Sequence, residues 1–186
     1  MKVKIRNLSI IVIALLLLFG LGFPLAMISG DKQGKIVLND KIILPFRVPK
    51  DKKVVLVYLG YVGCQTICTP SLEDSAKILN TLDDTSEVSF YFVNISKEEV
   101  GAQEFAKFFH REFIGLQLSK QETSDLMREL RAYSSDAIVQ GGDIYHTGYL
   151  YLIKQEKGGA FTLKSMYDTR PFDTESIILD IKKELQ

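Results

Sequence analysis

A run of six apolar residues at positions 54–59 leads directly into the two cysteines of the chain, Cys64 and Cys68. The run is rich in β-branched and aliphatic side chains, which is typical of a strand buried on both faces of a parallel or mixed sheet. From Leu72 onward, apolar residues recur at helical spacing. The sequence therefore predicts that both thiols lie where a central strand passes into a helix.

The spacing of Cys64 and Cys68 favours a shared role for their sulfurs. Residues four apart are neighbours on a helix face, so the pair can hold one metal ion or, with some distortion, one disulfide. A strand, a loop with two cysteines and a helix are the arrangement of thioredoxin-like folds, where the helix N-terminus stabilises thiolate. A disulfide closing so short a loop removes little entropy from the unfolded chain, so a purely structural bridge explains the pair poorly.

The N-terminal part of the chain is expected to lie outside the folded domain. Positions 1–7 hold three cations and are predicted to be cytoplasmic, whereas positions 8–28 have no charged residue and can span a membrane. This apolar run is longer than that of a secretory signal and lacks a convincing cleavage site, which favours an uncleaved transmembrane anchor. A linker at 29–34 would then lead to a single extracytoplasmic domain at 35–186.

The charge of the chain argues against nucleic acid as a partner. Beyond the three N-terminal cations, 20 basic residues stand against 23 acidic ones, a net charge of −3. Nucleic-acid binding needs clustered lysines and arginines. The pair Gly141-Gly142 is far too weak a signal for a nucleotide site, and there is no internal repeat. We therefore expect neither nucleic acid nor nucleotide.

The remaining elements predict an α/β fold with a central mixed sheet flanked by helices. A hairpin is expected at 35–46, with its turn at residues 39–40, and another at 149–163. A second buried strand is predicted at 88–95. The first predicted helix has Thr69 as N-cap and Pro70 as its first residue. Three further helices are predicted from their apolar spacing. They cover 102–109 with Phe105, Phe108 and Phe109 on one side, 122–133 with Leu126, Met127 and Leu130, and about 172–185 with Ile177, Ile178 and Ile181 buried.

His146 is the third candidate ligand because it stands immediately before the strand predicted at 149–153. In a thioredoxin-like sheet, the loop entering this strand faces the cysteine loop. The Cys-x-x-x-Cys spacing also differs from the Cys-x-x-Cys of redox motifs, and no proline occurs near His146, where thioredoxin-type oxidoreductases keep a cis-proline. Two thiolates and one imidazole suit Cu(I) or, with an added weak ligand, Cu(II), whereas structural zinc usually needs a fourth protein ligand. Copper is the expected metal.

These features resemble the SCO/SenC family of membrane-anchored, thioredoxin-like copper proteins that assist assembly of the copper centre of cytochrome c oxidase. The resemblance covers about residues 54–185. It implies that a respiratory oxidase subunit or a similar acceptor is the partner, and that Cys64, Cys68 and His146 are the copper ligands. The motifs that carry it are Gly-Tyr-x-x-Cys-x-x-x-Cys at 60–68, the strand at 91–95 and Phe-His-x-x-Phe-x-Gly-Leu at 109–116.

Some positions depart from the family pattern. The family usually has proline after each cysteine and an acidic residue between them, whereas this chain has Gln65, Thr66 and Thr69. Ser96 stands within the segment that is commonly Val-Asp-Pro, and Tyr145 replaces the usual aspartate before the histidine. Groups around metal ligands tune the metal affinity and the redox potential of a site. These changes are therefore expected to affect the choice of acceptor and the redox potential more than the identity of the ligands.

Three functions fit this sequence. The favoured one is a copper metallochaperone. The second is an extracytoplasmic thiol-disulfide oxidoreductase in which Cys64 and Cys68 cycle between dithiol and disulfide, and the third is a redox or copper sensor. His110 lies among Phe108, Phe109 and Phe113 and is interpreted as a structural residue.

Overall fold

The computed structural model describes residues 34–96, 101–135 and 145–186. Its strands are β1 (Lys35–Ile42), β2 (Val54–Gly60), β3 (Val88–Asn94), β4 (Phe113–Gln117), β5 (Ser134–Ser135), β6 (Tyr145–His146), β7 (Leu150–Gln155) and β8 (Phe161–Tyr167). Its helices are α1 (Cys68–Thr81), α2 (Ala102–Phe109), α3 (Lys120–Glu129) and α4 (Thr174–Leu185). Six strands form one sheet in the order β1-β8-β7-β2-β3-β4, and β5 pairs with β6.

The two central strands, β2 and β3, are buried along their whole length. They run parallel, with Gly60 opposite Asn94, and β4 continues the parallel set, whereas β7 is antiparallel to β2. Continuous apolar strands are stable in such a position because both faces of the sheet are covered. The predicted mixed sheet flanked by helices is therefore confirmed.

Helices cover both faces of the sheet. On one face α1, α2 and α4 pack over Leu56, Tyr58, Phe90 and Phe92, and both cysteines belong to this first core cluster. On the other face Leu126 and Leu130 cover a second cluster, which includes Val57 and Tyr151. Alternate side chains of a strand point to opposite faces, so Tyr58 lies on the cysteine side and Val57 on the other.

The predicted N-terminal hairpin at 35–46 is wrong. One strand, β1, runs through the expected turn and pairs antiparallel with β8, with a register shift between Val37 and Asp40. The turn-forming residues at 39–40 are accommodated as an irregularity within the strand, because β8 provides a continuous partner edge. The second predicted hairpin is confirmed as β7 and β8.

The start of α1 also differs from the prediction. The helix begins at Cys68 with Ile67 as N-cap, and no side chain caps it. The Thr69 hydroxyl instead donates to the carbonyl oxygen of Cys64, at 3.0 Å. Pro70 is still within the first turn, where backbone N–H groups have no partner inside the helix, so it fits without cost.

The other predicted helices are present with shifted ends or faces. The helix predicted at 122–133 is α3, which begins two residues earlier behind a Ser119 capping box and has ended by Leu130. Phe105 and Phe109 of α2 pack against the core, but Phe108, predicted on the same side, is 84% exposed. Ile177 and Ile181 of α4 are buried, whereas Ile178 is partly buried.

The predicted anchor at 8–28 and the segment at 1–7 lie outside the described residues. Among the residues that are described, we find no helix that is both long enough and apolar enough to cross a membrane.

Candidate metal centre

Hydrogen bonds fold the cysteine loop back onto itself between β2 and α1. The amide of Cys64 donates to the carbonyl oxygen of Tyr61 at 3.2 Å. The amide of Cys68, the first residue of α1, donates to the Cys64 sulfur at 3.3 Å. The Cys64 sulfur therefore lies at the positive end of the helix, where backbone N–H groups and the helix dipole favour negative charge.

His146 completes the cluster from a distant part of the chain. It lies on β6, opposite Ser134 of β5, and its Nε2 atom is 3.5 Å from the Cys68 sulfur. The rings of Tyr61 and His146 are nearly perpendicular, with centroids 5.8 Å apart. The ligand atoms of Cys64, Cys68 and His146 all lie within 4.8 Å of one another, and each side chain is at most 4% exposed.

The two cysteines are free thiols, and they influence each other strongly. A hydrogen bond from the Cys68 thiol lowers the pKa of Cys64, with a smaller lowering effect from His146. The same bond, together with burial, raises the pKa of Cys68. In the reduced pair, negative charge is therefore favoured on the Cys64 sulfur and the proton on the Cys68 sulfur.

This arrangement fits a thiolate-binding metal ion. Metal–sulfur and metal–nitrogen bonds of about 2.0–2.3 Å hold ligand atoms no more than about 4.6 Å apart, so the observed cluster needs only a slight contraction. The Nδ1 atom of His146 is buried and has no hydrogen-bond partner within the described residues, which leaves Nε2 as the atom directed at the sulfurs. In the described part of the chain, no cysteine, histidine or acidic side chain joins the group as a fourth ligand.

Asn94 supports the cysteine loop, and sequence analysis did not identify it. Its Oδ1 atom accepts from the amides of Val62 and Ser96, both at 3.3 Å, and its Nδ2 atom donates to Gln117 at 2.6 Å. The side chain is 1% exposed. An asparagine at the end of an otherwise apolar strand was the available signal, because buried polar groups require partners.

Arg170 supports the segment after His146 and was also missed. Its Nη2 atom donates to the carbonyl oxygens of Thr147 and Gly148 at 2.9 and 3.1 Å. Gly148 has a φ of +54°, and a β-carbon there would lie 2.7 Å from the same nitrogen and 2.9 Å from Ile67. Nothing in the local sequence indicates this contact. Gly148 thus allows the segment after His146 to pack closely against Arg170 and against Ile67 of the cysteine loop.

His110, the second histidine of the chain, lies outside the cluster. Its Nε2 atom is 3.3 Å from Oδ1 of Asn80, and its Nδ1 atom accepts from the amide of Glu112. This agrees with its interpretation as a structural residue. Gln65 and Thr66, two of the positions that depart from the family pattern, are exposed on the loop, whereas Cys64 before them and Cys68 after them are buried.

Comparison with known proteins identifies the family. The model of the SCO1/SenC family matches residues 50–186, about three quarters of the chain. The chain belongs to the SCO1/SenC family. The resemblance predicted from the cysteine loop, the histidine and the intervening motifs is confirmed.

Individual SCO relatives are similar over much of the domain. An SCO2-like protein of Rickettsia conorii is 25% identical over 151 residues, which covers 76% of this chain and 68% of the relative. A mitochondrial SCO2 homologue of Danio rerio is 31% identical over 111 residues, or 55% of this chain and 40% of that protein. The structure of Arabidopsis thaliana ScoI with copper bound superposes with a TM-score of 0.61 at 23% identity, covering 81% and 98% of the two chains, and shows the same fold.

Proposed function

We propose that this SCO1/SenC protein binds one copper ion through Cys64, Cys68 and His146 and passes it to an acceptor protein. The observation that carries the proposal is the convergence of two thiols and one imidazole, all buried, within 4.8 Å. Membership of the SCO1/SenC family and a copper-bound relative with the same fold support it. The copper centre of a respiratory oxidase is the acceptor that we favour.

The donor set favours copper over zinc. Thiolate sulfur selects Cu(I), which is stable with two or three ligands, and imidazole suits copper as well. Structural zinc is almost always four-coordinate, and the described residues offer three ligands. The same three ligands can hold Cu(II) if water or another weak ligand completes the site.

Release would proceed by ligand exchange. The exposed residues Gln65 and Thr66 lie between the two cysteines in sequence and form the outer side of the loop. An acceptor that docks there would bring its own sulfur or nitrogen atoms to the copper, which replace the three ligands in turn. Cu(I) keeps its oxidation state in such a transfer, and the displaced Cys68 thiolate regains its proton.

We place the domain on the outer side of the membrane, held by the anchor predicted at 8–28. The apolar length of that segment and the cations before it support this topology. An oxidase subunit in the same membrane would then be within reach of the tethered domain.

A thiol-disulfide oxidoreductase is the second candidate, and the lowered pKa of Cys64 favours it. The Cys64 thiolate would attack an acceptor disulfide, forming a mixed disulfide and releasing one acceptor thiolate. Cys68 would then lose its proton and displace the second acceptor sulfur, leaving Cys64 and Cys68 oxidised and the acceptor reduced by two electrons. His146 has no necessary part in this exchange.

Copper affinity separates the two candidates. The full-length protein is loaded with Cu(I) under reducing conditions and titrated with a competing chromophoric chelator. We expect one tightly bound ion per wild-type chain, and much weaker binding by Cys64→Ser, Cys68→Ser and His146→Ala. His110→Ala, the matched histidine control, should retain wild-type affinity. Undiminished affinity in the cysteine variants would refute the proposal, and intact thiol exchange without copper binding would favour the oxidoreductase.

A further inference from the structure

Tyr58 carries a buried hydroxyl on the cysteine side of the sheet. Its side chain has no exposed surface and belongs to the same core cluster as Cys64 and Cys68. Its hydroxyl oxygen has no hydrogen-bond partner within the described part of the chain. A buried hydroxyl without a partner destabilises a fold, so its position calls for an explanation.

The ring of Tyr58 and the sulfur of Cys68 both lie next to Gly60. A β-carbon added at Gly60 would lie 2.7 Å from the Cys68 sulfur and 3.1 Å from Cε1 of Tyr58, the ring carbon next to the one that carries the hydroxyl. Glycine therefore leaves the space in which the sulfur approaches the hydroxyl end of the ring.

Ser71 supplies a second unpartnered hydroxyl in the same place. It lies in α1 three residues after Cys68, so the two side chains are neighbours on one helix face. Ser71 is 1% exposed, and its hydroxyl has no hydrogen-bond partner among the described residues. Ser71 and Tyr58 therefore both lie next to Cys68.

We propose that Tyr58 is a positioning residue of the metal centre, whose hydroxyl donates a hydrogen bond to the Cys68 sulfur when that sulfur is a metal-bound thiolate, with Ser71 donating in turn to Tyr58. This inference rests on the proposed copper function. A protonated cysteine thiol is only a weak acceptor. A metal-bound thiolate carries negative charge and is a much better acceptor, so the two hydroxyls gain partners only in the loaded state.

The test uses Tyr58→Phe in the full-length protein, because phenylalanine keeps the ring and removes the hydroxyl. Tyr151→Phe is the matched control: Tyr151 is equally buried and its hydroxyl is also without a partner in the described residues, but it packs in the cluster on the opposite face. Cu(I) affinity is measured by chelator competition. The sulfur-to-Cu(II) charge-transfer band is recorded as well, because a hydrogen bond lowers the energy of the sulfur electrons.

We expect the charge-transfer band of Tyr58→Phe to move to lower energy and its Cu(I) affinity to fall about 10-fold. Ser71→Ala should change both in the same direction by a smaller amount, and Tyr151→Phe should change neither. Metal-free Tyr58→Phe should unfold at the wild-type denaturant concentration or higher, since it loses an unpaired hydroxyl. A wild-type band and affinity in Tyr58→Phe would overturn the inference while the proposed function stands. A wild-type protein that binds no copper would overturn both.

Discussion

The Nε2 atom of His146 lies 3.5 Å from the sulfur of Cys68, although 78 residues separate them in the chain. The sheet creates this contact, because β2 ends at the cysteine loop and β7, its antiparallel neighbour, begins just after the histidine. The three ligands are thus brought together by strand pairing, and the groups that fix their positions come from further segments.

The first prediction concerns the support of the cysteine loop by Asn94. Asn94→Ala leaves the amides of Val62 and Ser96, both partly buried residues, without the side-chain oxygen that they share. We expect the free energy of unfolding to fall by about 1–3 kcal/mol, measured by denaturant titration. Asn39→Ala, at an exposed asparagine that bonds to Lys164, is the control and should change stability by less than about 0.5 kcal/mol. Equal effects of the two variants would show that Asn94 does not support the loop.

The second prediction concerns Arg170 and the segment after His146. Arg170→Ala removes the donor to the carbonyl oxygens of Thr147 and Gly148, so His146 should be held less firmly. We expect copper to dissociate about 10-fold faster, because groups that orient a metal ligand typically contribute that much to affinity. Stopped-flow transfer to a chelator measures the rate. Arg111→Ala, which removes a side chain that is 89% exposed, should leave the rate unchanged, and an unchanged rate in Arg170→Ala would contradict the account.

The third prediction is a pH dependence of the stability of the reduced, metal-free protein. The lowered pKa of Cys64 means that the unfolded chain binds one more proton than the native protein below the ordinary thiol pKa of about 8.5, so stability rises with pH in that range. The raised pKa of Cys68 reverses the difference above that value, because the native protein then binds the extra proton, and stability falls.

The difference in unfolding free energy between the wild type and the variant Cys64→Ser/Cys68→Ser should therefore pass through a maximum near pH 8.5. The double variant retains every other titrating group, so the subtraction isolates the two thiols. A difference that stays flat between pH 6 and pH 10 would show that the thiols titrate independently, with ordinary pKa values of about 8.5.

The sequence allowed the central strands, the cysteine loop and the histidine position to be predicted because each depends on a local pattern or on chain order. β2 and β3 are mainly apolar and buried along their whole length, and His146 shortly precedes the apolar strand β7. The pairing of β1 with β8 could not be predicted, because the residues at 39–40 favour a turn locally and a distant strand overrides them. Arg170 and Asn94 were missed for a similar reason, since Arg170 bonds to Gly148, 22 residues away along the chain, and Asn94 bonds to Val62, 32 residues away.

X-ray absorption at the copper edge tests the central claim most directly, because it counts the atoms bound to the metal. For Cu(I) bound to the full-length protein, the account predicts two sulfur ligands and one nitrogen ligand, with the nitrogen lost in His146→Ala and retained in His110→Ala. Copper bound by nitrogen and oxygen atoms alone, or an identical spectrum in His146→Ala, would contradict a centre formed by Cys64, Cys68 and His146.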